Sequence, residues 1–238
     1  MPKHYWYIIV TYLITQVSAI AAVPVLVKAA GMSRFDAIAV WSVFSFTIAT
    51  IIILLLLRRN PQDSLARSED KAGPGKVVLW SIAGVFLALF AQAIAATIER
   101  ELFGVSPGSE NTMGLMEIAR ESPLFILLPV VFAPITEEII FRKIIFGSIY
   151  KRTNFWLAVL VSALVFGAFH FDFSHMLVYF SMGVVFAFLY VKTKRIITPI
   201  VAHMAMNSFV VVSQYFLTEE DIRRMQEQLE TIFIGGFL

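Results

Sequence analysis

Residues 5–27, 37–57 and 77–98 each run without one charged side chain. Each run reaches the roughly 20 apolar residues that an α-helix needs to cross the hydrocarbon of a bilayer, so the pattern predicts three transmembrane helices. Four more apolar runs follow at 123–150, 153–169, 173–191 and 196–217, now with ionisable side chains inside them or at their ends. The longest connections, 58–76 and 99–122, mix charge with Pro, Gly and Ser in the manner of solvated loops. The expectation is an all-α fold, a polytopic bundle of about seven transmembrane helices. It divides into three spans with their loops (1–122), a core of four spans (123–217) and a C-terminal tail (218–238). In the tail, Ile222, Met225, Leu229 and Phe233 recur at helical spacing beside Arg223 and Arg224, which predicts an amphipathic helix, either at the membrane interface or packed as a terminal helix. No internal repeat is visible, which disfavours an inverted-repeat transporter.

Composition sharpens this picture. With 58% hydrophobic and 15% charged residues the chain lies outside the balance of soluble domains, so the apolar surplus faces a lipid bilayer. A formal charge of +2 with no basic stripe among aromatics predicts no nucleic-acid partner. The absence of cysteine excludes a thiol nucleophile, a disulfide framework and a Cys-based zinc site. Lys3 ahead of an apolar run with Ala19-Ile20-Ala21 imitates a cleavable secretory signal, but the 23-residue length of 5–27 favours a retained anchor. Lys and Arg concentrate in 58–76, 151–152 and 192–195, which predicts a cytoplasmic N-terminus and an external C-terminus for a multi-pass protein of the cell membrane.

Ionisable residues inside a span cost several kcal/mol and by default mark a functional cavity. Here they form three groups: Glu137-Glu138-Ile139-Ile140-Phe141-Arg142, Phe166-Gly167-Ala168-Phe169-His170 and His203-Met204-Ala205-Met206-Asn207. Each contains an i, i+4 pair, and residues four apart lie one above the other on a helix face. Glu138 and Arg142 can therefore pair, which offsets the cost of burying both. Glu137 is rotated by about 100° from Glu138 and is free to face a cavity. His203 and Asn207 share one face, and Phe166 lies one turn below His170, either fixing it or serving as plain core. Pro129 and Pro134 remove backbone donors just ahead of the glutamates, where a kink would make room for water.

The ordered set EExxxR, FxxxH and HxxxN on three motif-bearing spans resembles the CPBP family, also called Abi, which joins type II CAAX prenyl endopeptidases with bacteriocin-processing and immunity-associated membrane proteins. The resemblance covers about 123–217 and implies an all-helical membrane fold and peptide-bond hydrolysis inside the bilayer. It implies that Glu137 activates water, that His170 stands beside it, and that His203 and Asn207 meet the substrate carbonyl. Glu138, Arg142 and Phe166 are supporting residues in this reading. The implied partner is a membrane-associated protein or peptide substrate. No cofactor is firmly implied; a zinc ion, if present, has Glu137, His170 and His203 as its ligands.

Two other functions use similar parts. Buried Glu and His also suit a proton-coupled transporter, and the same fold suits a non-catalytic peptide-binding or immunity protein. Depth poses a further question. At about 1.5 Å per residue from the basic loops, Glu137 lies roughly 20 Å in, His170 roughly 25 Å and His203 roughly 10 Å. Straight vertical helices would keep them apart.

Overall fold

The computed structural model describes residues 1–59, 71–106, 108–216 and 224. Its first helices follow the charge-free runs: α1 (Lys3–Ala30), α2 (Arg34–Arg59) and α3 (Pro74–Phe103). Their ends are set by backbone chemistry. Gly31 ends α1 and Gly104 ends α3 in the left-handed conformation, at φ 65° and 67°, while Pro74 opens α3 at a position where its missing N–H costs nothing.

The connection 99–122, read from sequence as a solvated loop, is largely helical. α3 runs on to Phe103, and α4 (Glu110–Glu121) follows, with the Ser109 side chain accepting from the Thr112 amide at 3.2 Å as its N-cap. Such a cap is worth about 1 kcal/mol. Next come α5 (Pro123–Tyr150), α6 (Phe155–Ala168, N-capped by Asn154), a single tight turn at Phe173–His175, α7 (Met176–Thr193) and α8 (Ile197–Phe216). Among the described residues, α1, α2, α3, α5, α7 (with the preceding turn) and α8 are six helices long and apolar enough to cross a membrane. α6, the expected fifth span, has 14 residues and is the shorter apolar member; at 1.5 Å per residue it is about 21 Å long. The amphipathic helix expected in 218–238 and most of loop 58–76 lie outside the described residues.

α5 is one helical run whose hydrogen-bond ladder changes pitch. A 3₁₀ turn at Pro123–Ile126 leads into i→i+5 turns over Leu128–Phe132; one α stretch, Ala133–Glu137, precedes a second i→i+5 stretch, Glu138–Phe146. Such wide turns are frequent at functional sites. α5 lies at the centre, in contact with α2, α6, α7 and α8, while α1 packs on α2 and α3 packs on α7 and α8. The main core joins Ile8 and Tyr12 of α1, Phe46 of α2, Ile140, Phe141 and Ile144 of α5, Phe166 of α6, Phe186 of α7 and Met206 of α8. Where α6 meets α7, a Cβ on Gly183 would stand 2.6 Å from that of Ala163, so two small residues let the backbones approach.

Candidate active site

The two adjacent glutamates of α5 have different surroundings. Glu138 is fully buried, with Oε2 3.2 Å from Arg142 Nε and Oε1 accepting from His203 Nδ1 at 3.0 Å. The Arg142 guanidinium, also fully buried, lies 4.2 Å from the centroid of Phe166 and 5.5 Å from that of Phe186. Its contact with Glu138 is close but not aligned as a hydrogen bond. Ring faces therefore share the work of holding the cation, by cation–π attraction strengthened where water is excluded. Phe186 also stacks on the His203 ring at 4.7 Å and 22°.

Glu137 points the other way. Its carboxylate is 14% exposed, lines a cavity of about 1000 Å³, and stands 4.0 Å from His203 Nε2. His170, His203 and Asn207 line the same cavity. His203 thus spans the pair: donating Nδ1–H to Glu138 leaves Nε2 on the side of Glu137. His170 lies beyond the end of α6, its Nδ1 donating to the Phe166 carbonyl at 2.9 Å and its ring meeting Phe166 edge-on at 4.7 Å.

Asn207 has a partner that sequence did not suggest. Its amide donates to the Pro129 carbonyl at 2.8 Å. The Ala133 amide bonds to the Leu128 carbonyl, so in this i→i+5 register the donor due to Pro129 is residue 134, a proline with no N–H. Asn207 supplies the missing bond across helices and still has a second N–H.

The outer wall of the cavity is polar. Tyr179 of α7, Ser109 and Asn111 from the start of α4, and Asp172 and His175 between α6 and α7 form one cluster, with Ser109 Oγ 2.7 Å from Asp172 Oδ2 and His175 Nδ1 3.0 Å from Asp172 Oδ1. Burial pushes the Asp172 carboxyl up, but the bonds from Ser109 and His175 and the charge of His175 outweigh it and hold it below its ordinary value. Nearby, buried Glu99 accepts from the Leu177 and Val178 amides at 2.7 and 3.2 Å, satisfying the open N-terminus of α7.

A family model described as type II CAAX prenyl endopeptidase, Rce1-like, matches residues 119–209. Over 245 aligned residues, all of this chain and all of the relative, the chain is 44% identical to "Putative membrane peptidase YdiL" of Bacillus subtilis (strain 168). It is 35% identical over 196 residues, 80% of this chain and 78% of the relative, to "Membrane-embedded CAAX protease MroQ" of Staphylococcus aureus (strain USA300). The chain belongs to the Rce1-like CAAX protease family. It is a hydrolase of the multi-pass membrane class. No solved structure matches it at a significant level.

In this CAAX-type protease, Glu137, His170, His203 and Asn207 come together on one cavity, and Glu138, Arg142 and Phe166 form the packed layer behind it. The first four side chains line one cavity, so the depths expected for straight vertical helices do not hold. Glu137, His170 and His203 do not converge as a ligand set: no group of three His, Cys, Asp or Glu among the described residues is placed to hold a metal ion. Tyr179 is a buried core aromatic that also stacks on His170. Its i, i+4 relation to His175 was the available signal, though His175 itself bonds to Asp172.

Proposed function

We propose that this protease hydrolyses peptide bonds of membrane-associated proteins or peptides within the bilayer, with Glu137 as the residue that activates water. The observation that carries the reading is the division of labour between neighbours: Glu138 is spent on Arg142 and His203, while the Glu137 carboxylate faces the cavity with no side-chain hydrogen bond among the described residues. Water attacks the carbonyl carbon as Glu137 takes its proton, His170 orients that water, and the tetrahedral oxyanion meets the second N–H of Asn207 and, with His203 carrying a proton on both ring nitrogens, its Nε2–H. Collapse breaks the C–N bond, and the proton held on Glu137 passes to the departing amine. Residues 123–217 carry this chemistry in our reading, and 1–122 supply the rest of the cavity wall.

The likeness to a CAAX prenyl endopeptidase family and to a CAAX protease of Staphylococcus aureus favours CAAX-type processing over bacteriocin or signal-peptide processing. Comparative peptidomics of cells carrying wild-type protein or Glu137→Gln tests the proposal. Fragments that appear only with the wild type, from membrane-associated parents, are the expected result. Identical peptidomes with both proteins would contradict it.

A further inference from the structure

The backbone at His170 is held by its amide bonding to the Gly167 carbonyl at 3.1 Å, outside the regular ladder of α6. His170 lies past the end of α6 on a short turn whose next residue, Phe171, is a non-glycine at φ 54°. Residues on such turns are less firmly held than those inside a helix, yet water activation needs near-attack geometry. The bond from Nδ1 to the Phe166 carbonyl fixes one atom of the imidazole, and neighbouring side chains fix the plane of the ring. Phe166 meets one edge of the imidazole, as described, and the face is covered by Tyr179, its ring centroid 4.0 Å away and its plane 25° from that of His170.

Tyr179 is itself pinned. It is 6% exposed, and its hydroxyl lies 2.9 Å from Ser109 Oγ and 3.3 Å from Asn111 Nδ2. The donors and acceptors have one consistent arrangement. The Asp172 carboxylate accepts only, so the Ser109 proton goes to it; the Ser109 oxygen then accepts from the Tyr179 hydroxyl and from the Thr112 amide, and the Tyr179 oxygen accepts from Asn111. The same serine oxygen that caps α4 therefore fixes Tyr179. α4 also walls the cavity through Asn111, Leu115 and Met116.

We infer that Tyr179 is a positioning residue for His170, anchored by the N-cap of α4 so that the cavity wall and the imidazole are held as one unit. The inference rests on the proposed role of His170 in orienting water. It is tested with a fluorophore–quencher peptide copied from a sequence released by wild-type cells and not by Glu137→Gln cells. kcat, KM and unfolding temperature in detergent are measured for Tyr179→Leu, Tyr179→Phe, Ser109→Ala and His170→Ala. Tyr179→Leu, which loses the stack, is expected to lower kcat about 10- to 100-fold with KM within about twofold. Tyr179→Phe and Ser109→Ala remove the same hydrogen bond, so each is expected to lower kcat about 3- to 10-fold, and the double variant no further.

A KM effect without a kcat effect in Tyr179→Leu would make Tyr179 a substrate contact and overturn the inference. So would an unchanged kcat in Tyr179→Leu when His170→Ala is inactive. If Tyr179→Leu does not fold, the Tyr179→Phe and Ser109→Ala pair decides, and kcat at the wild-type value in both overturns it. Wild-type turnover by His170→Ala is a different failure: it removes His170 from the reaction, and the proposed function falls first.

Discussion

α3 and α5 are nearly the same length, 30 and 28 residues, yet only 17% of the most apolar stretch of α3 is buried against 39% of that of α5. α3 keeps a regular ladder and buries one stripe of small residues, Ser81, Gly84, Ala88 and Ala95, leaving Phe86 and Phe90 to lipid. α5 buries Glu138, Ile139, Ile140, Phe141 and Arg142 in succession, which no single helix face can do, and its ladder shifts to i→i+5 over that stretch. In lipid a regular helix needs one packed face, because its other faces are already in a matching solvent. A helix that carries charge must be enclosed by protein on every side, and the irregular ladder, with donors from Asn207 and Ser162 reaching the Pro129 and Phe141 carbonyls, is how α5 meets that demand.

The contrast is broken most severely at Arg142. Arg142→Ala leaves Glu138 as a buried charge without its cation and is expected to cost about 3–5 kcal/mol, read as loss of folded protein in detergent. The matching change on α3, Phe90→Ala, is expected to stay within about 0.5 kcal/mol, since Phe90 is 67% exposed. Equal yields from both variants would erase the distinction between the helices.

Asn207 sharpens it next. Asn207→Ala is expected to lower kcat about 100- to 1000-fold and to cost about 1–3 kcal/mol of stability, because it removes the proposed oxyanion donor and strands the Pro129 carbonyl. Pro134→Ala returns a backbone N–H to that carbonyl. The double variant is expected to recover unfolding temperature and not turnover. Recovery of both would reduce Asn207 to a brace for α5.

The smallest effect belongs to the outer cluster. The Asp172 carboxyl is held below its ordinary value of 3.8, so its contribution to stability is complete above that value and disappears as pH falls through the lower folded-state value. The gap in unfolding temperature between wild type and Asp172→Asn is expected to close below about pH 3.8. A gap that stays constant with pH would remove the charge of Asp172 from the stability of this cluster.

The spans of α1 to α3 were legible because twenty residues without charge admit few structures in any solvent. The three motifs were legible because i, i+4 spacing survives even where the ladder widens, as the Glu138–Arg142 contact shows. Three features were not. The pitch of α5 depends on how Pro129, Pro134 and Asn207 share donors across two helices, a relation 78 residues apart in sequence. Glu99 reads as the start of a polar loop and is in fact the cap of a helix that begins far along the chain. α4 was hidden by its charge, although Ser109 followed by Glu110 is an N-cap signal that composition alone obscured.

The central claim is that Glu137 does chemistry while Glu138, its neighbour, holds structure. The direct test is the single-turnover cleavage rate of purified Glu137→Gln protein, measured beside its unfolding temperature. The account predicts a rate lower by about 10²- to 10⁴-fold with an unfolding temperature equal to that of the wild type. A cleavage rate near the wild-type value in that folded variant would contradict it.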